Sequence, residues 1–325
     1  MRNAFLLIVI FAFISCKTTT EPIVYDKTQD AVEKEAGLIH YLIANDNLGE
    51  AGALLEKNLQ IYPGDESLLI LKGWALLQEK KYVESEQLFL EILKKNANNP
   101  VVYAGLSRIY RNTGAYDKAN EYIDKGLAIT KSFAILWFEK GLSQYNTNKY
   151  KEALLSFTKS YNLDKNYVDA LFFKYLSQLY SGYELNDIKY QWENLVKSDK
   201  IKNYHFLYHA EALYKIGDKE LGYRILTEGK TKYPEEPYIL NFYAYVSTEK
   251  FRAKELESLD EATKSIEVCL ADTKSIQPEF VDTYLQILEL NGDKAKMNEV
   301  IDKYYLLFPE SVEIMAWLKK IKSSE

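Results

Sequence analysis

Apolar residues recur along most of this chain with the period of a helix. In "YDKANEYIDKGLAI", Tyr116, Ala119, Ile123 and Leu127 are separated by three, four and four residues, which sets them on one stripe of an α-helix. The preceding stretch, "VVYAGLSRIYRN", puts Val102, Tyr103, Leu106, Ile109 and Tyr110 at helical spacing as well. Between the two runs lies "NTG", a short turn in which Gly114 relieves backbone strain where the first helix ends. Gly49, Gly182, Gly217 and Gly292 are expected to mark corresponding turns. Two helices on so short a loop pack antiparallel. The pattern therefore predicts helix hairpins.

The hairpins repeat. Tyr82-Ser85, Tyr116-Ala119 and Tyr150-Ala153 each lie 34 residues after the last, with Leu48-Ala51 one step earlier and Lys219-Gly222 and Lys294-Met297 in the same slots after small slips. A small-residue column runs upstream of them (Gly73, Ser107, Gly141, Ala210, Ala244), and an apolar column downstream (Leu55, Phe89, Ile123, Phe157, Leu226, Ile301). Pro63, Pro234 and Pro309 close units. Trp137 with Gly141, then Tyr150, Ala153 and Phe157, complete a pattern that resembles the tetratricopeptide repeat.

That resemblance implies an all-α fold, a right-handed superhelical solenoid of about eight antiparallel hairpins, because one hairpin cannot bury its apolar face alone. Units are placed at 32–65, 66–99, 100–133, 134–167, 168–202, 203–236, 237–277 and 278–311. The fifth has one extra residue, which sets Ile188, Trp192 and Leu195 in its second helix; the seventh has seven extra around "STEKFRAKELESLDEA". Residues 312–325 are expected to cap the stack with a helix whose buried stripe is Val312, Met315, Ala316 and Ile321, with Lys319, Lys320 and Lys322 on its outer side.

The first residues depart from this period. Ala4 to Ile14 is an unbroken apolar run, suited to a secretory signal and short of the roughly 20 residues a spanning helix needs. It ends in "FISC", which resembles a bacterial lipobox, with Phe13 where Leu is usual. The resemblance implies a signal peptide at 1–15 and a Cys16 that is diacylated, then N-acylated, as a membrane anchor; an uncleaved anchor or a secreted protein with an incidental Cys16 is the alternative. Residues 16–31 read as the acylated cysteine and a flexible tether, since "KTTTEPIVYDKTQD" has no helical period. Cys269 is then left without a disulfide partner and reads as a small buried hydrophobe.

Composition removes some functions. The net charge is -6, so there is no concentrated positive surface for nucleic acid. His205 and His209 share the four-residue spacing of zinc ligands, but Phe206 stands where a metalloprotease has Glu, and His209 falls in a packing slot. There is no nucleophile elbow, phosphate-binding glycine loop or dinucleotide fingerprint, and "SGYELND" lacks the ligand spacing of a calcium loop. Neither cofactor, metal nor catalytic residue is expected, and the chain reads as a non-enzyme.

In the family resembled, the concave wall is lined by unpacked positions of each first helix. Carried onto this sequence, that register gives Trp74, Arg108, Arg111, Phe138, Tyr145, Phe172, Tyr204, Glu211, Tyr214, Asn241 and Tyr245 as groove residues for a protein or peptide partner. Aromatic and Arg side chains suit such contacts, although tight curvature could bury many of them as core. The leading expectation is a lipid-anchored scaffold of the bacterial cell envelope, with the outer membrane facing the periplasm favoured because Lys17, not Asp, follows Cys16. The alternative is a structural subunit of an envelope assembly or secretion complex, which binds through its convex face or edges and leaves the groove idle.

Overall fold

The structure is a computed structural model that describes residues 27–198, 200–272 and 275–323. Every regular element among them is an α-helix. The chain divides into two compact units at Lys174 and Tyr175. In the first, α1 (Lys27–Ala44) pairs with α2 (Leu48–Ile61), α3 (Glu66–Gln78) with α4 (Tyr82–Lys95), α5 (Pro100–Asn112) with α6 (Tyr116–Ile129), and α7 (Ala134–Asn146) with α8 (Tyr150–Leu163). Helix α9 (Val168–Tyr180) spans the division. The second unit continues with α10 (Leu185–Val196). It then pairs α11 (Asn203–Ile216) with α12 (Lys219–Lys232), α13 (Pro237–Arg252) with α14 (Asp260–Ala271), and α15 (Pro278–Asn291) with α16 (Lys294–Tyr304). It ends with α17 (Val312–Lys322). The fold class is the expected all-α hairpin solenoid.

The repeat is written in backbone geometry as well as in side chains. The turn inside each hairpin carries one residue in the left-handed region: Asp46, Lys80, Gly114, Asn148 and Gly182, each 34 residues after the last, then Gly217, Lys254 and Gly292. A left-handed residue reverses the chain while the freed carbonyls of the ending helix still find donors. At Gly114 the following amide, Ala115 N–H, donates to Tyr110 O at 2.8 Å. Gly49, expected in such a turn, lies in α2 instead, and Asp46 holds the position. Side-chain caps start several helices: Asp65, Asn99 and Asp293 accept from the backbone N–H of Leu68, Val101 and Lys296.

Close helix approach explains the small-residue column. Phe89 of α4 is fully buried, with its ring between Gly73 of α3 and Gly105 of α5. A Cβ built on Gly105 would stand 2.5 Å from that ring, and one on Gly73 would also lie inside van der Waals contact. The ring cannot retreat from one without striking the other. Gly141 meets Phe157 in the same way at 2.5 Å. Around these crossings, Leu68, Leu106, Ile123 and Leu136 are fully or almost fully buried. In the second unit one continuous core runs from Leu240 through Ile266, Phe280 and Leu285 to Ile301, Ile314 and Trp317. Ile188, Trp192 and Leu195 are buried on α10, as the one-residue shift in the fifth unit requires.

Two boundaries differ from expectation. Helix α1 begins at Lys27, so its first turn occupies the end of the segment expected to be a tether. The cap helix α17 buries Ile321 as expected, but together with Ile314 and Trp317; Val312, Met315 and Ala316, expected beside it, are exposed. Ile314, Trp317 and Ile321 join the apolar core of α15 and α16, and Trp317 Nε1–H also donates to Asp282 of α15 at 2.7 Å. The expected signal peptide and Cys16 lie outside the described residues. No helix among the described residues is long and apolar enough to cross a membrane.

The two kinds of glycine should respond oppositely to one change. Gly52 in α2 has nothing within 4 Å of a built Cβ, so Gly52→Ala should stabilise the protein by about 0.5–1 kcal/mol through helix propensity alone. Gly73→Ala should destabilise it by about 1–3 kcal/mol through overpacking against Phe89. Urea denaturation of both variants measures the signs.

Candidate functional site

Each unit carries residues from the expected groove set, and the structure treats them differently. In the first unit a buried carboxylate, Glu139 of α7, collects the arginines of α5. Arg108 Nε and Nη2 both reach Glu139 Oε1 at 2.6 Å, and Arg111 Nε donates to Glu139 Oε2 at 3.0 Å. Glu139 has no exposed surface. Burial pushes its carboxyl up, but Arg108 and Arg111 outweigh that and hold it below the usual carboxylate range. Trp74 of α3 lies against the same group, its ring centroid 4.7 Å from the Arg108 guanidinium carbon. The arginines are therefore locked between helices rather than presented as free cations.

The neighbouring aromatics of this unit are core. Phe138 and Phe172 are buried. Phe138 packs among Phe157, Tyr167 and Phe173 at centroid distances of 5.6, 4.7 and 5.8 Å. These two residues are withdrawn from the groove set, because the same helix face that could line a wall is covered here by rings from the adjoining helices. Tyr145 is half-buried, edge-on to Phe173 at 5.5 Å and to Tyr150 at 5.4 Å.

In the second unit α11 and α13 lie side by side and keep an open strip. Tyr238 and Tyr245 are 52% and 41% exposed, and Glu211 is exposed as well. Tyr204 is half-buried, its ring 4.3 Å from that of His205. Next to it stands Tyr208, exposed and absent from the expected set. Asn241, between Tyr238 and Tyr245, is half-buried, and its side-chain oxygen is buried without a hydrogen-bond partner. Tyr214 behaves differently. Its ring covers Gly222 of α12 and meets Phe242 of α13 at 5.5 Å, so it serves helix packing.

The histidines have separate duties. His205 Nδ1 accepts from the backbone N–H of Lys202 at 2.9 Å, closing the start of α11. His209 is buried, with Nε2 2.7 Å from Tyr175 Oη, and burial pushes its pKa down to about 3, so the ring is neutral. Among the described residues no group of three or more His, Cys, Asp and Glu is placed to hold a metal ion. Cys269 is a buried free thiol whose Sγ–H donates to Pro237 O at 3.2 Å; burial pushes it up to about 12, which leaves it unreactive.

Glu139 is the residue that sequence reasoning missed. A signal existed: it follows Arg108 and Arg111 by 31 and 28 residues, close to the interval at which first helices of adjacent hairpins meet. The same interval links Glu66 with Asn99, Asn203 with Glu236, and Arg252 with Gln286.

Glu139→Gln should destabilise the first unit by about 2–4 kcal/mol at neutral pH, since it leaves two part-buried guanidinium groups without their charge partner. The carboxyl is depressed in the folded state, so its contribution is complete above the unfolded carboxylate pKa of about 4.3 and is lost as pH falls through the lower folded value. The variant should therefore lose less stability than the parent between pH 5 and pH 2, in steps of roughly one pH unit, when followed by urea denaturation.

The comparisons with known proteins agree with this geometry. Residues 42–102 and 76–134 match the Tetratricopeptide repeat family profile. A TPR repeat-containing protein of Methanocaldococcus jannaschii is 34% identical over 96 residues, which is 30% of this chain and 30% of that protein. Among solved structures, the Cut9–Hcn1 hetero-tetramer of the APC/C aligns with a TM-score of 0.64 at 11% identity, covering 91% of this chain and 57% of that one. The human IFIT1 dimer with PPP-AAAA aligns with a TM-score of 0.57 at 15% identity, covering 80% of this chain and 65% of that one. This chain thus spans less than two thirds of these relatives. The structural likenesses speak to fold alone. Residues 42–134 thus match the tetratricopeptide repeat, and the described residues have the helix-hairpin solenoid fold.

Proposed function

We propose that this protein is a non-catalytic scaffold that holds a protein or peptide partner against the first helices of its second unit, and that acylated Cys16 tethers it to the bacterial cell envelope. The observation that supports the reading is the open strip on α11 and α13. Tyr238, Tyr245 and Tyr208 stay exposed there, in a chain whose other first-helix aromatics are mostly consumed by packing. Tyrosine buries a large rigid area on binding while its hydroxyl keeps a polar partner, at low cost in side-chain freedom. Asn241 adds an acceptor without a partner in the middle of the strip. The tether reading rests on "FISC" and on the short apolar run before it, with the outer membrane facing the periplasm as the favoured location.

Capture of partners from the native envelope by the full chain tests the binding face. Tyr238→Ala with Tyr245→Ala should weaken capture at least tenfold, about 1–2 kcal/mol per anchoring ring. Capture that survives both changes, yet falls on charge reversal of the second helices, is the result for a structural subunit with an idle groove. Mass spectrometry of the N-terminal peptide tests the anchor: acylated Cys16 is expected as the first residue, and an unmodified Met1 would remove the lipoprotein reading.

A further inference from the structure

Between α10 and α12, on the second-helix side of the second unit, lies a cleft of about 530 Å³. That is within the range of sites that enclose a small organic molecule, roughly 300–1,000 Å³. It shares α11 with the tyrosine strip, through His209, but none of the strip's tyrosines lines it. Its walls are mixed; the apolar part is Leu185 and Val196 from α10 and Leu221 and Ile225 from α12. Tyr175, Trp192 and His209 also line it, and all three are buried.

The histidine has an unused atom. Its ring lies 4.2 Å from that of Trp192, and Nε2 is taken by Tyr175 Oη. The neutral imidazole has one N–H and one lone pair. With the Tyr175 hydroxyl as donor to Nε2, the proton sits on Nδ1. That nitrogen is buried and has no hydrogen-bond partner within the chain. An unmatched polar atom at such depth is unfavourable, and an acceptor from a bound molecule would offset that cost.

The rim is charged and uncommitted. Lys189, Lys197 and Arg224 border the cleft with Glu193 and Glu228, and none of the five makes an ion pair among the described residues. Elsewhere in the unit an exposed lysine does find a carboxylate, as Lys264 does with Glu261. The rim carries one more cation than carboxylates, and Arg224 offers the planar fork that suits a carboxylate.

We propose that this cleft binds a small apolar carboxylate, with its hydrocarbon or aromatic body against Trp192, Leu221 and Ile225, an acceptor oxygen toward His209 Nδ1, and its charge balanced by the rim cations, Arg224 first. No partner protein is required, so the site stands or falls apart from the scaffold reading.

The test is ligand-observed NMR on the full chain with 4-phenylbutyrate as the probe and 4-phenylbutanol as its uncharged counterpart. Saturable binding of the acid is expected, at least fivefold tighter than the alcohol, with a shift of the His209 Nδ1 resonance. Leu221→Trp, which fills the cleft from a partly exposed position, should abolish it, and Arg224→Glu should weaken it at least fivefold. Circular dichroism checks that both variants keep their helices. If Leu221→Trp misfolds, Arg224→Glu, exposed on the surface, still decides the matter. The proposal is overturned if the acid fails to bind at millimolar concentration, if the alcohol binds as well as the acid, or if binding to folded Leu221→Trp or Arg224→Glu is unchanged.

Discussion

Helix crossings at glycine set the terms for the rest of this molecule. A hairpin has more apolar surface than its two helices can hide, so each must be covered by the next. Coverage at van der Waals contact needs the helix axes close. Phe89 shows how that is met: its ring fills the space that Gly73 and Gly105 leave on two successive first helices. One side chain therefore joins two hairpins. The same arrangement recurs at Gly141 and Phe157. Once axes are this close, polar side chains on neighbouring hairpins also come within reach, and links one repeat apart follow, from Gln78–Asp46 to Trp317–Asp282.

This constraint divides the candidate site. On α5 and α7 close stacking brings Arg108 and Arg111 onto Glu139, and the charges that suggested ligand recognition serve to hold helices together. A buried carboxylate between two guanidinium groups gives weak evidence of net stability, because removing the charges from water is expensive. It does fix which helices pair, since any other partner would leave the carboxylate bare. On α11 and α13 stacking leaves Tyr208, Tyr238, Tyr245 and Glu211 at the surface, with Asn241 half-buried among them. Proposed binding and observed packing thus draw on different residues of the same helix type.

The hairpin period was legible because its columns combine size with spacing: Gly73 and Gly141 upstream, Phe89 and Phe157 downstream, with a turn such as the one at Gly114 between. Cys269 and the buried slot of His209 were legible for the same reason. The cap face was not. Apolar residues stand all round this short helix, Ile321 was read with Val312 and Met315, and only the neighbours on α15 and α16 show that Ile314 and Trp317 are its buried companions. Glu139 was hidden likewise. A charged residue inside an apolar run reads as surface until its partners one repeat upstream are placed beside it. The groove register failed at Phe138, Phe172 and Tyr214 because rings of adjoining helices cover those positions, and a register counted along one helix carries no information about its neighbours.

Site-specific photo-crosslinking in the native envelope tests the division between packing and binding most directly. A photoreactive residue at position 245 on α13 is compared with one at Arg108 on α5 and one at Tyr190, exposed on α10. The account predicts partner adducts from position 245 and none from 108 or 190. Adducts from 108 or 190 with none from 245 would contradict it.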